Sequence, residues 1–207
     1  MGKEKRRRNA AVTREAILAS ALQRFARAGY DSVGVREIAK GAGVTAMMVN
    51  RYFGSKEQLF AEVARRAATP PRVLTPELFA SDGAADRLAA ALVEVTKAGA
   101  TPLDGFVILL QSATSEPAAA IGRQLIESHH FKIVAGALDG EWAAERSGLL
   151  LSLIAGLQVM RQMIGLSALA KAQPERLAKL LAPVLRELIE PARQRSRRPP
   201  SLPSRAR

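Results

Sequence analysis

Cysteine is absent from the 207 residues, and aromatic side chains make up only 4% of them. The lack of cysteine excludes disulfides and thiolate-bound metals. The two histidines, His129 and His130, are adjacent, so on a helix they diverge by about 100° and cannot share a metal ion. The chain also lacks a nucleophile elbow, a glycine-rich phosphate loop and a pair of acids placed for catalysis. We therefore expect neither an enzyme nor a cofactor.

Long apolar segments free of charge are also missing. The longest apolar stretch, residues 147–170, carries Arg161 near its middle, with Gln158 and Gln162 beside it. A charge at the bilayer centre is costly, so this stretch is better explained as a buried helix at a subunit interface. The charged N-terminus is not followed by the apolar region of a secretory signal. We expect a cytoplasmic protein with no membrane partner.

The net charge of +12 is unevenly distributed along the chain. Residues 1–71 carry +8, residues 72–192 carry −2, and residues 193–207 carry +6. A basic N-terminal part on a slightly acidic middle indicates that a polyanion binds at one end of the molecule. If the arginines served only to keep the protein soluble, the middle segment would not be expected to be slightly acidic.

Alanine and leucine dominate and β-branched runs are scarce, which predicts an all-α protein of about nine helices. Apolar spacing predicts a first helix over 13–29, with Thr13 as N-cap and Gly29 as its stop. A stretch rich in proline, residues 69–83, indicates a junction between domains. The predicted parts are a basic arm at 1–12, a DNA-binding domain at 13–70, a ligand-binding and dimerisation domain at 71–192, and a disordered basic tail at 193–207. Predicted helical blocks of the second domain are 84–98, 102–114, 117–138, 141–165 and 174–190.

A helix-turn-helix is indicated by Ala39, Gly43 and Val49, at Ala-x3-Gly-x5-Val spacing. Two helices that cross closely need a small residue on the first, a residue tolerant of positive φ in the turn, and an apolar anchor on the second. The second helix is predicted to end near Phe53. Ser55 then begins a capping box for the next helix.

The segments "VREIAKGAGV", "RYF" and "SKEQLF" complete a pattern over residues 13–63 that resembles the TetR family of transcriptional regulators. The resemblance implies a three-helix unit that binds operator DNA and two long C-terminal helices that pair with a second subunit. It also implies a small-molecule effector, bound in the C-terminal domain, that releases the DNA. The expected function is a homodimeric repressor that places helix 46–53 in each half of a palindromic operator. The alternative is a sequence-tolerant architectural DNA-binding protein without a ligand.

Helical periodicity divides the residues of helix 46–53 into those that point into the protein and those that are free to contact DNA. Val49 and Phe53, at i and i+4, point inward, which leaves Met47, Met48, Asn50 and Arg51 outward. A methionine pair is most often core filling, but here the inner face is already occupied. Exposed methionines fit thymine methyl groups in the major groove, whereas Asn50 fits an adenine edge, a phosphate or plain solvation.

By resemblance, the DNA contacts come from positions on and around the reading helix: Arg36, Thr45, Ala46, Met47, Met48, Asn50, Tyr52 and Lys56. Tyr52 and Lys56 are expected to contact phosphates, which carry little sequence information. The chain departs from the family pattern at Asn50, where tyrosine is common, and at Gly34, where a Ser or Thr cap is common. Ser32 is a possible substitute for that cap. The basic run at residues 3–8 is either a DNA-tracking arm or a solubilising leader.

Two further sets of residues are expected in the C-terminal domain. A mostly apolar pocket for a hydrophobic or amphipathic effector is predicted to be lined by Phe106, Leu110, Gln111, Thr114, His130 and Met163. Helices 141–165 and 174–190 are apolar on more than one side, which indicates a partner surface. The residues predicted for that dimer interface are Leu150, Ile154, Leu157, Arg161, Leu180 and Val184.

Overall fold

The computed structural model describes residues 2–67, 73–97 and 104–190. These residues form an all-α fold, as predicted, and contain no strand. The N-terminal part, called the head, contains α1 (Gly2–Ala28), α2 (Val35–Gly41), α3 (Ala46–Phe53) and α4 (Lys56–Ala67). The remainder, called the body, consists of α5 (Pro76–Phe79), α6 (Ala84–Val95), α7 (Asp104–Gln111), α8 (Glu116–Ile126), π1 (Glu127–Phe131), α9 (Lys132–Ala137), α10 (Ala143–Gln158), π2 (Val159–Met163), α11 (Ser167–Ala170) and α12 (Pro174–Ile189). The predicted tail 193–207 lies outside the described residues.

Helix α1 begins well before its predicted start, because the backbone from Gly2 onward is already helical. The prediction of Thr13 as N-cap is therefore wrong: its Oγ1 donates to the Asn9 carbonyl, 2.9 Å away, within the helix. Residues 3–12 contain no proline or glycine and several lysines, arginines and alanines, which favour the helix. The predicted stop is confirmed, since α1 ends at Ala28 and Gly29 has a φ of +72°.

The body contains more helical segments than the predicted blocks. Block 117–138 is a continuous helix that widens into π1 before α9, and block 141–165 becomes α10 followed by π2. The four-residue helices α5 and α11 were not predicted. Helices this short depend on tertiary contacts rather than on apolar periodicity, so the sequence pattern does not reveal them.

The head core extends beyond the helix-turn-helix itself. Phe25, Tyr30 and Phe60 pack with ring centroids 5.1–6.0 Å apart. Ile108 of α7 and Leu125 of α8 are buried in the same cluster. The head therefore packs directly on α7 and α8, and its core is completed by residues far along the chain.

Helices α6 and α12 organise a second core in the body. Leu88 and Leu92 of α6 are buried in the same cluster as Leu181 and Leu185 of α12. At the surface of this pair, Arg186 Nη2 lies 2.6 Å from the Asp86 carboxylate. The body core thus joins the start of the body to the last described helix.

Ion pairs connect α1 to α4 on the outside of the head. Arg14 Nη2 lies 3.0 Å from Glu62 Oε1, and Arg66 binds Glu15 through two hydrogen bonds. The hydrogen bond from Arg14 holds the pKa of Glu62 below its usual value. A lowered folded-state pKa stabilises the fold above the unfolded pKa of about 4.3, and this contribution is lost as the pH falls through the folded value.

The buried side chain of Arg146 links the start of α10 to the end of α12 through hydrogen bonds. Its Nε donates to the Glu141 carbonyl at 3.1 Å and its Nη1 to the Leu188 carbonyl at 3.0 Å. Its Nη2 donates to the Asp139 carbonyl. One guanidinium therefore satisfies carbonyls of the α9–α10 connection and of the last turn of α12, where a cation also complements the helix dipole.

Replacing Arg146 by methionine should lower the free energy of unfolding by about 2 kcal/mol, because three carbonyls lose the donors that one buried guanidinium supplies. Chemical denaturation of the purified protein measures this change. Arg176→Met, at an exposed arginine of α12, is the matched control and should change stability by less than about 0.5 kcal/mol. Equal effects of the two substitutions would contradict a stabilising role of the Arg146 hydrogen bonds.

Candidate nucleic-acid interface

The turn between α2 and α3 has the geometry that the spacing predicted. Ala39 is buried where the helices cross, Gly43 has a φ of +67°, and Val49 is buried on the inner face of α3. The Val44 amide donates to the Ala39 carbonyl at 3.0 Å and closes the turn. Phe53 is also buried, so the predicted structural roles of these residues are confirmed.

Side-chain oxygens accept hydrogen bonds from backbone amides at the start of each of the three short head helices. Thr45 Oγ1 accepts from the Met48 amide at 3.3 Å, and Ser55 Oγ accepts from the Gln58 amide at 3.2 Å. At α2, the Gly34 amide donates to Glu37 Oε2 at 3.1 Å. Glu37, and not Ser32, thus compensates for the missing Ser or Thr cap, because it supplies the acidic half of a capping box.

The outer face of α3 presents an apolar group between polar ones. Met47 is 80% exposed, and Asn50 and Arg51 are exposed beside it. Met48 is half-buried, so the prediction that both methionines point outward holds fully only for Met47. A large apolar side chain this exposed is in position to contact a partner rather than to fill the core.

The remaining predicted DNA contacts surround this face. Arg36 and Thr45 are exposed, whereas Ala46 and Tyr52 are half-buried and pack against the head core. Lys40 is a further exposed cation on α2 that the sequence reasoning did not select. The sequence places Lys40 three residues before Gly43 of the turn, in "VREIAKGAGV", so its position near the turn could have been predicted. Together, Arg36, Lys40 and Arg51 give the α2–α3 surface a positive charge that suits phosphates.

Lys56 is held in place by an aromatic ring. Its Nζ lies 4.1 Å from the centroid of Tyr30, a cation–π arrangement. The Tyr30 hydroxyl donates to Glu57 Oε1 at 2.7 Å. Hydrogen bonds from Ser55 and Tyr30 hold the pKa of Glu57 below its usual value, so the carboxylate stays charged beside Lys56. The Tyr30 ring and the Glu57 carboxylate thus fix the position of the Lys56 ammonium group.

The α1–α2 turn of the head meets the α7–α8 connection of the body, and we call this contact the seam. The Tyr30 amide donates to Ser112 Oγ at 3.1 Å, and Ser115 Oγ donates to Asp31 Oδ1 at 2.9 Å. A Cβ added to Gly29 would lie 2.4 Å from the Gln111 carbonyl oxygen. Sequence reasoning missed the seam, because only the glycine stop at residue 29 left a signal in the sequence.

The predicted ligand-lining residues are spread over several elements of the body. Phe106 of α7 and His130 of π1 are half-buried, and burial together with His129 lowers the pKa of His130. The other four members are exposed: Leu110, Gln111, Thr114 and Met163. Gln111 lies at the seam, since its carbonyl faces Gly29. The six residues thus lie on α7, the α7–α8 connection, π1 and π2, and their common role in binding a ligand stays a prediction.

The predicted dimer residues divide into two groups. Leu150, Leu157 and Arg161 are buried within the protomer, because α10 and π2 turn them toward α6 and the body core. They are consequently not available to a partner, and the prediction is corrected for these three. Ile154 is half-buried, and Leu180 and Val184 are exposed on α12.

Two other kinds of site receive no support from the described ranges. Within residues 2–67, 73–97 and 104–190, no group of three His, Cys, Asp or Glu side chains is arranged to hold a metal ion. Among the same residues, no helix has the length and apolar character needed to cross a bilayer.

A helix-turn-helix head with an exposed, positively charged α2–α3 surface, packed on a helical body, is typical of DNA-binding transcriptional regulators. The family model of bacterial regulatory proteins of the tetR family matches residues 17–63. The model of the tetracyclin repressor-like C-terminal domain matches residues 82–189, more than half of the chain. The protein belongs to the TetR family of transcriptional regulators.

Solved structures of other family members share the fold. A TetR-family regulator from Streptomyces coelicolor is 23% identical, with a TM-score of 0.55 over 86% of this chain and 95% of its own. NalD of Pseudomonas aeruginosa, the secondary repressor of a multidrug efflux pump, is 21% identical, with a TM-score of 0.57 over 86% and 95%. GusR of Salmonella enterica is 19% identical, with a TM-score of 0.60 over 86% and 95%. No curated protein matches the sequence.

Proposed function

We propose that the protein is a homodimeric repressor that acts in the cytoplasm and places α3 of each subunit in one half of a palindromic operator. The observation that carries this proposal is Met47, 80% exposed on α3 between exposed Asn50 and Arg51. An apolar group among polar ones on a reading helix suits bases that display methyl groups beside hydrogen-bonding edges. Arg36, Thr45, Ala46, Met48, Tyr52 and Lys56 are proposed as the supporting contacts.

The proposed dimer surface combines α10, π2 and α12. Leu149 and Met160 are exposed on α10 and π2, and Leu180 and Val184 are exposed on α12 at i and i+4. A Cβ added to Gly148 or Gly156 would meet nothing within 4 Å, so this face also has room for close approach of a second helix. A self-complementary apolar face of this kind fits an isologous two-fold contact, which matches a palindromic operator.

The third part of the proposal is release by a small, partly hydrophobic ligand bound in the body. The seam supports it: α7 and α8 contribute to the head core, so a change in their positions would move the head. Because two half-sites on DNA must be about one helical turn apart, a small change in head spacing weakens binding of both heads at once.

Met47→Ala should remove most of a preference for thymine at one position of each half-site, a change of about threefold to tenfold per half-site. Folding should be unchanged, because the side chain is exposed. Selection of bound DNA followed by affinity measurements on single-base variants of the site tests this expectation.

Two controls accompany the measurement. Ile126→Ala, at an exposed isoleucine of α8, should leave both preference and affinity unchanged, and Lys56→Gln should weaken all DNA sequences alike. If Met47→Ala leaves the base preference intact, Met47 does not read the operator.

A further inference from the structure

The helix that begins as α10 changes its winding at π2, and this change turns Arg161 into the body. Single π turns within α-helices occur often at functional sites. Arg161 is only 3% exposed. Gln158 lies three residues before Arg161, and Gln162 directly follows it. The two glutamines share a face of the helix at i and i+4. We call these three residues the π2 polar cluster.

Arg161 is hydrogen-bonded to neutral oxygens. Its Nε donates to the Leu169 carbonyl at 3.2 Å, and its Nη1 donates to Thr96 Oγ1 at 3.0 Å and to the Val93 carbonyl. No carboxylate among the described residues lies within ion-pair distance of it. Burial lowers the pKa of Arg161, although the more distant Glu94 opposes that effect. The cluster thus holds a positive charge that its described neighbours do not neutralise.

One of the two glutamines leaves a buried acceptor unused. Gln162 Nε2 donates to the Val95 carbonyl at 3.1 Å, but Gln162 Oε1 is buried and has no donor among the described residues. Gln158, only 9% exposed, places a second carboxamide beside it. A buried acceptor without a partner destabilises a protein, and a donor supplied by a bound ligand would remove that cost.

Capping of α6 explains only part of this arrangement. Arg161 and Gln162 both donate to carbonyls at the C-terminal end of α6, where a cation is favourable. Capping alone, however, needs neither an unpaired Gln162 Oε1 nor a buried Gln158. A ligand that supplies both an acceptor and a donor accounts for all three residues.

We propose that the π2 polar cluster binds the polar end of the effector, a small organic anion whose carboxylate faces Arg161 and whose hydroxyl or N–H group donates to Gln162 Oε1. Gln158 contributes a carboxamide able to donate or accept. The rest of such a ligand is expected to be apolar, because ligand sites in proteins are mostly apolar and contain only a few fixed polar groups. This inference rests on the proposed ligand response and adds to it a place and a ligand class.

The test uses three probes and the purified full-length protein. Salicylate carries a carboxylate and a hydroxyl, benzoate lacks the hydroxyl, and benzyl alcohol lacks the carboxylate. Calorimetry should show salicylate bound more tightly than benzoate, and benzoate more tightly than benzyl alcohol. Gln162→Met should weaken salicylate by about tenfold, the effect of one lost hydrogen bond, and leave benzoate nearly unchanged. Gln124→Met, at an exposed glutamine of α8, should change neither.

Stability without any probe gives a second, independent readout. Gln162→Met removes the unpaired acceptor and also the hydrogen bond from Gln162 Nε2 to the Val95 carbonyl. The thermal midpoint of the ligand-free variant should therefore fall by no more than about 3 °C, the effect of that one hydrogen bond. A larger fall would mean that Gln162 Oε1 is also paired inside the protein, and it would overturn the inference. Salicylate bound no more tightly than benzyl alcohol, or bound equally well by Gln162→Met, would overturn it too.

DNA binding separates this inference from the proposed function. Sequence-specific DNA binding by the unchanged protein, together with failure of the probes, overturns the effector site alone. Absence of sequence-specific DNA binding overturns the proposed function whatever the probes do.

Discussion

Replacing Gly29 by alanine is expected to lower the free energy of unfolding by roughly 2–4 kcal/mol. Two effects add at this position. The φ of +72° is unfavourable for a residue with a Cβ, and that Cβ would lie 2.4 Å from the Gln111 carbonyl oxygen. Because the clashing atom belongs to the backbone, the seam must open to admit the methyl group. Thermal and chemical denaturation measure the loss.

Gly83→Ala is the matched control for Gly29→Ala. Gly83 has a φ of +68°, but a Cβ there would meet nothing within 4 Å. Its replacement should cost only about 1 kcal/mol, the conformational part of the effect. The difference between the two variants therefore reports on the contact between head and body. Equal losses would mean that Gly29 matters only as a helix stop.

Replacing both Leu180 and Val184 by glutamate should convert the protein into a monomer and weaken operator binding by at least about 100-fold, since one head reads only one half-site. The two side chains are 66% and 50% exposed in the protomer, so the charges are tolerated there. In a two-fold dimer, the same positions would bury four carboxylates, which is strongly unfavourable. Light scattering distinguishes the 22.2 kDa protomer from its dimer.

Ile126→Glu provides the control for charge at an exposed apolar position. Ile126 is exposed on α8, which is not one of the elements of the proposed dimer surface. This variant should remain dimeric and retain operator binding. A double glutamate variant that remains dimeric would show that the subunits meet elsewhere.

Local rules account for the parts of the site that the sequence predicted well. Gly43 and Thr45 act within a few residues of themselves, through a positive φ and an N-cap, and their roles are visible in the printed sequence. Val49 and Phe53 follow from helical spacing once their inner face is known. Met47 was then identified by elimination, and its exposure agrees with that reasoning.

Long-range contacts explain the parts that could not be predicted. The seam pairs Tyr30 with Ser112 and Asp31 with Ser115, residues more than eighty positions apart. No local pattern marks such a pair. Arg161 was expected at a subunit interface, because a charge at the bilayer centre is costly and a buried interface helix explained the apolar stretch better than a membrane span. Arg161 is buried, but at the C-terminal end of α6 within the same protomer.

The central claim is sequence-specific binding of DNA by two heads, and one competition measurement tests it directly. DNA selected from a random pool is compared with random DNA at several salt concentrations. The claim predicts a palindromic selected site, bound about a thousandfold or more tightly than random DNA, with the ratio maintained as salt rises. Equal affinity for selected and random DNA, with the same steep salt dependence, would contradict it and indicate a sequence-tolerant architectural protein.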